Sequence, residues 1–441
     1  MFEAGFARLD VTPQLGTILT GYFKARVSDG IFDPVELNAV ALQAGGDTVL
    51  IITGDFMSAL EEDVTRYRKL IAEETGLPLD HIFYQTLHQH TSTTPGACGP
   101  SDHLYQEYLC RKFADVSKMA LADLGEAKIS VGEKETAEPL AFVRRYRMKD
   151  GSVMTNPGIL NPEIDHPLGD ADNTVRLVKF TREGKKDIAL VNFQNHPDMI
   201  GGNKFSADWP GFVRRITEKT FADTHCIVLN GCQGDVNHIN VKKHSATYGT
   251  VKYSPEFYEA RYDYCRECSR IIVDAVTDIW NQTEEVSADR IFSKAEMKFI
   301  PSKTEGLEKM EECKDIMARL AAGEPVFDGL TMAEKGDVRR IAAMDRLKLM
   351  QKVPVSVVAF GKIAIVGYGG EPFTEYAIKV REAFPELFVL TSCLANGGQG
   401  YLPSAVAFEE GGYEAAASNF TPAVAPVLQG AAIDMLKEYL K

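Results

Sequence analysis

TVLIITGDF (48–56) and HIFYQTLHQH (81–90) decide the fold. The first run is apolar with no polar alternation, which suits a strand buried on both faces. Between the two, Leu60, Val64, Tyr67, Leu70 and Ile71 recur at helical spacing, and Gly76 and Pro78 close the run. Strand, helix and strand of these lengths predict a β-α-β unit, with Asp55 and His88 at equivalent ends of neighbouring strands. In extended backbone, His88 and His90 project to one side and can meet one ion or one substrate.

The same arrangement recurs along the chain. Residues 36–44 and 47–54 predict a hairpin turning at Gly45-Gly46. DIALVNFQN (187–195) reads as a buried strand that stops at His196-Pro197. HCIVLNGCQGDVNHIN (225–240) runs from a strand into a polar glycine loop with Asp235, Asn237 and His238. VPVSVVAFGKIAIVGYGGEPF (353–373) predicts a hairpin at Gly361-Lys362 that runs out to Glu371. That carboxylate suits either a helix N-terminus or a functional role. ELFVLTSCLANGGQGYLP (386–403) adds a last strand and a loop holding Tyr401. Sites in α/β folds lie at strand carboxyl ends. The expected fold class is therefore α/β, with mixed β-sheets flanked by helices and the active site at those ends.

With 441 residues, 45% of them hydrophobic, the chain can bury a large core. No repeat or low-complexity linker interrupts it, so a single domain over 1–441 is expected, with 303–350 a charged, peripheral two-helix excursion. A formal net charge of −14 argues against nucleic acid and anionic membrane as main partners and leaves a small-molecule substrate. The eight Cys show no disulfide rhythm. Cys265-x-x-Cys268, inside a helical run without a second pair nearby, reads as ordinary buried thiols. The first residues show no export signal, and no window holds 18 uninterrupted apolar residues. A cytoplasmic protein without stable membrane association is expected.

Six stretches in one order resemble the N-terminal catalytic domain of neutral ceramidases: GFARLDVTP with a following GY, LHQHT, NHPDM, GDVNHIN, GGEPF and QGYLPSAVAFEEGGYE. The resemblance implies a zinc ion held by His88, His196, Glu371 and Tyr401. Tyr413 resembles a second tyrosine of the late loop. Arg144 most nearly matches a substrate-contacting arginine, though FVRRY leaves Arg145 open. Two imidazoles and a carboxylate are ordinary zinc ligands, and three protein ligands with an open position lower the pKa of a bound water toward about 7. His90 suits an outer-shell or oxyanion role. Asn237 stands where ceramidases carry a catalytic serine, and an amide cannot be a nucleophile.

The expected activity is a zinc-dependent hydrolase acting on an amide or related bond of a small polar substrate. His90, Arg144, Asn237 and Tyr413 would position substrate and developing charge. The alternatives are a lyase, isomerase or glycosidase acting on a hydroxylated metabolite, with Asp235 or Asp55 as acid/base, and a non-catalytic zinc-stabilised binding protein.

Overall fold

The computed structural model describes residues 1–24, 26–96, 102–243, 255–344 and 348–441. Because neither face of the strand Asp47–Gly54 is polar, its side chains supply two separate cores. Val49 and Ile51 pack with Val358, Phe360, Ile363 and Ile365 of a second sheet, while Leu50 and Ile52 pack against helices. The neighbouring strand Glu36–Ala44 divides in the same way, and the hairpin between them turns at Gly45-Gly46 as expected.

The larger sheet holds nine described strands. Its order is Thr224–Asn230, Asp187–Phe193, Thr174–Arg182, Gly125–Glu135, Glu3–Asp10, Glu36–Ala44, Asp47–Gly54 and Ile82–Thr86, with Glu284–Val286 beside Gly125–Glu135. The smaller sheet runs Ile291–Pro301, Met350–Phe360, Ile363–Tyr368 and Phe388–Ser392. Helices α1 (Glu61–Thr75) and α2 (Asp102–Ala122) cover part of the large sheet, and α3 (Asp208–Thr220) and α4 (Pro255–Ile279) cover the rest. The smaller sheet is covered by α7 (Thr374–Ala383), the short α8 (Ala405–Glu410) and α10 (Val424–Tyr439). The layers are helix, sheet, sheet, helix, the mixed α/β class expected.

Within the two main sheets, three described strand pairs are parallel: Asp47–Gly54 with Ile82–Thr86, Asp187–Phe193 with Thr224–Asn230, and Ile363–Tyr368 with Phe388–Ser392. Their carboxyl ends converge. The strands Ile82–Thr86 and Thr224–Asn230 are opposite edges of the large sheet, yet the Gln85 amide donates to the Asn230 carbonyl at 2.6 Å and accepts from its N–H at 3.2 Å. The same amide also donates to the Cys393 carbonyl, past the end of Phe388–Ser392, at 2.9 Å. One buried side chain thus ties both edges of one sheet to the other sheet, which satisfies edge groups that would otherwise stand unpaired.

The segment 303–350, expected to be peripheral, contributes α5 (Met310–Ala321) and α6 (Met332–Ala343). Gly336 of α6 packs directly on the Tyr413 ring, and Phe327 meets Phe23 at 5.5 Å. No helix among the described residues is long and apolar enough to cross a membrane.

Candidate metal centre and active site

His88 does not reach the centre by strand alternation. The strand stops at Thr86, and His88 adopts φ of 77°, a region a non-glycine residue enters at a cost. The N–H groups of His88 and Gln89 both donate to the Phe56 carbonyl, at 2.8 and 3.3 Å, and close a tight turn. This turn brings the rings of His88 and His90 edge to face at 5.0 Å. Between them, Gln89 donates to Asp55 at 3.0 Å. Asp55 in turn is gripped by Arg214 at 2.9 and 2.5 Å and by the Glu36 N–H at 2.9 Å. Its two oxygens are engaged in anchoring the turn, away from any acid/base task.

His196 arrives from the far side of the large sheet, after Asp187–Phe193, the strand beside the opposite edge. Its Nε2 lies 3.1 Å from Nε2 of His90, and the His90 N–H donates to the Pro197 carbonyl at 3.0 Å. His88, His90 and His196 are buried and offer ligand atoms within 4.8 Å of one another, a group able to hold a metal ion. Burial holds His90 well below the usual imidazole range, with His88 adding. Burial does the same for His196, with Arg144 adding. Both therefore present lone pairs rather than charge.

The second nitrogens tell the three rings apart. Nδ1 of His88 lies 2.7 Å from the Met57 carbonyl, which takes its proton and leaves Nε2 free to face Glu371 Oε2 at 3.3 Å. Nδ1 of His196 has the Gln233 carbonyl at 3.5 Å, a long contact, and Arg144 Nη1 at 3.3 Å. Nδ1 of His90 is buried against Gly21 and has no hydrogen-bond partner among the described residues. Metal-binding imidazoles nearly always donate their other N–H to an acceptor. His88 meets that condition, His196 meets it weakly, and His90 does not.

Glu371 belongs to the smaller sheet's carboxyl end. Burial works to raise its pKa, but His88 and then Arg144 outweigh burial and hold it below the ordinary carboxylate range. The helix-terminus role open to Glu371 falls instead to Asp235, which accepts from the Thr374 N–H at 2.8 Å and its hydroxyl at 2.9 Å at the start of α7. Burial pushes Asp235 up to about 7 despite those bonds. Close approach of the two loops requires glycine: a Cβ on Gly234 would fall 2.3 Å from the Glu371 carbonyl.

Tyr401 pairs in parallel register with Glu371, and its ring lies 5.2 Å from the Arg144 guanidinium and 5.4 Å from Tyr413. Burial, with Glu371 adding, pushes its phenol well above the ordinary value. Of the two adjacent arginines, Arg144 is the one that meets His196. Arg145 turns to Glu410 at 3.0 Å and lies over Phe373. Asn237 spends its amide on Asn156 at 2.7 Å and on the Ile239 N–H at 2.9 Å. His238 is pushed down to about 3 by burial and by Arg261.

Several neighbours of the centre escape a reading of the sequence. Glu414, wholly buried, accepts from Arg144 at 2.7 Å, although a glutamate at the start of the short helix α9 (Tyr413–Ala417) reads as solvated. Tyr22 sits over His90, 5.3 Å between rings, and donates to Asp198 of the NHPDM stretch. Only their place in the quoted stretches hints at either. Cys265 and Cys268 are buried and reduced. Residues 97–101 of the loop after His90, a candidate pocket wall, lie outside the described residues.

No model of a known family matches the sequence, and no curated protein does. Solved structures do. The chain is similar to neutral ceramidase from Pseudomonas aeruginosa, with a TM-score of 0.71 and 14% identity over 99% of this chain and 75% of that one. A ceramidase complexed with C2 gives a TM-score of 0.69 at 14% identity, over 99% of this chain and 75% of that one. The chain has the neutral ceramidase fold.

Proposed function

We propose that the chain is a zinc-dependent hydrolase that cleaves an amide or related acyl bond of a small polar substrate. The observation that carries this is the set of buried donors at the junction of the two sheets. Donors about 2.0–2.1 Å from a tetrahedral zinc lie roughly 3.3–3.4 Å apart. The separation here is 3.3 Å for His88 and Glu371, and the ligand nitrogens of His88 and His196 lie within 4.8 Å of each other. The residues fit the ion. His88, His196 and Glu371 would hold it, with Tyr401 beside Glu371 as a fourth contact. When bound, zinc would supply the Lewis acidity that turns a water into a nucleophile near neutral pH.

The chain's own groups do the rest. His90, with no acceptor for an Nδ1 proton among the described residues, would keep its proton on Nε2, which faces the centre. That N–H is placed to donate to the oxyanion that develops as the carbonyl is attacked, and Arg144 and Tyr413 add positive charge and a hydroxyl donor. Asn237 stands where the resemblance places a serine. With its amide engaged by Asn156 and Ile239, it supplies no covalent nucleophile. Ceramide should accordingly be a poor substrate, although the two solved structures named above are ceramidases.

The test is metal content together with turnover on a broad panel of acylated amines and other small metabolites. Zinc with hydrolysis supports the reading. Zinc with elimination or isomerisation would move the chemistry to the lyase or isomerase class, and efficient release of fatty acid from long-chain ceramide would overturn the proposed substrate class.

A further inference from the structure

We infer that Glu414 is a positioning residue: it aims the Arg144 guanidinium at the metal centre and so sets the site's hold on a carboxylate or a carboxylate-like oxyanion. The inference rests on the metal reading above. Arg144 is almost fully buried and its Nε–H donates to Glu414 Oε1 at 2.7 Å, while Nη2 donates to the Gly234 carbonyl at 2.8 Å. A guanidinium has five N–H bonds in a rigid fork. With its Nε edge held by Glu414, the remaining Nη hydrogens fall on the side of His196, 3.3 Å from Nη1, and of the Tyr401 ring. The other Glu414 oxygen accepts from the Thr155 hydroxyl at 2.8 Å and lies 3.7 Å from Arg145 Nε. Glu414 thus sits between two buried arginines that turn in different directions. Without its charge they would repel, and Glu414 is the partner of Arg144 Nε among the described residues.

A merely structural Glu414 would pin α9 to the strands Arg145–Met148 and Val153–Thr155 and act on stability alone. Cobalt(II) in place of zinc separates the two roles, because its visible spectrum changes when acetate enters the centre, with no turnover needed. Glu414→Gln should take cobalt as the wild type does and bind acetate roughly ten- to a hundredfold more weakly, the range for a displaced hydrogen bond to a charged group. Thr155→Val frees one Glu414 oxygen without changing charge and should weaken acetate in the same direction by about threefold to tenfold. Unchanged acetate affinity in Glu414→Gln would overturn the inference. If that variant fails to fold, unchanged affinity in Thr155→Val does so instead. A wild-type protein that takes no cobalt sinks the metal reading and this inference with it, whereas cobalt binding with unaltered acetate affinity in the variants sinks this inference alone.

Discussion

Nε2 of His88 stands 3.3 Å from Oε2 of Glu371, although one residue follows an edge strand of the large sheet and the other follows a strand of the small one. A buried carboxylate and imidazole this close need a proton or a cation between them, since two lone pairs facing each other repel. His196 brings a third donor from the opposite edge strand's neighbour. A divalent ion there would satisfy all three at once.

Purified protein should therefore contain about one zinc per chain, borderline nitrogen and oxygen donors favouring zinc over a hard cation. His88→Ala removes a donor whose tautomer is fixed by the Met57 carbonyl. It should weaken zinc by more than the roughly 10–100-fold that loss of an outer-shell partner costs. Elemental analysis reads the first claim and a competition titration the second. A zinc-free protein that added zinc does not stabilise would count against the centre.

Gly336 offers a way to reach the centre from the excursion. A Cβ there would lie 3.0 Å from the Tyr413 ring and 3.2 Å from the Ala417 methyl, so α6 approaches α9 at backbone distance. Alanine gains about 1 kcal/mol of helix propensity against that crowding and should be nearly neutral. Valine adds two methyl groups with no room. Gly336→Val should displace Tyr413 and lower turnover by roughly tenfold or more while zinc content stays at wild type. Wild-type turnover in the valine variant would show that α6 has no part in the site.

Acid should weaken the fold through Asp172, which joins Arg176 at 2.7 Å and Arg381 of α7 at 2.5 Å. Burial alone would raise its pKa, but Arg176 and Arg381 outweigh burial and hold it at about 2. A carboxylate depressed in the folded state stabilises above its unfolded pKa, and that stability is lost as pH falls from about 4 through about 2. The contribution is about 2 kcal/mol near neutral pH. Asp172→Asn should cost about that much at pH 7 and much less at pH 2. Denaturant midpoints at the two values test it, and an equal loss at both would refute the linkage.

The elements were legible because their signals are local. Unbroken apolar runs gave buried strands, Gly45-Gly46 and Gly361-Lys362 gave hairpins, and Gly76 closed α1. The stretches holding the centre were legible too, but the way they meet was not. Gln85 joins the two sheet edges, and nothing in IFYQT says that a glutamine in an apolar strand has one partner on the far edge strand and another just past a strand of the other sheet. The left-handed His88 lay equally hidden, because alternation reads as extended backbone. Both depend on contacts between distant parts of the chain, as does the burial of Glu414.

The two tyrosines of the late loop test whether the ceramidase-like fold carries chemistry here. Tyr401, in register with Glu371, would meet the ion only as a phenolate, which burial and the Glu371 charge oppose without one. Tyr401→Phe keeps the ring against Arg144 and removes the hydroxyl alone, so it should lower the rate far more than it lowers folding stability. Tyr413 stands one ring further out, between Tyr401 and Phe23, with centroids at 5.4 and 6.1 Å. Its Phe variant should hold zinc normally yet turn over roughly tenfold to a thousandfold more slowly, as expected for one positioned hydrogen-bond donor. If both tyrosines only pack, both variants will be nearly silent. Zinc content, melting temperature and single-substrate kinetics measured side by side decide the matter: wild-type rates in both would remove this loop from the active site.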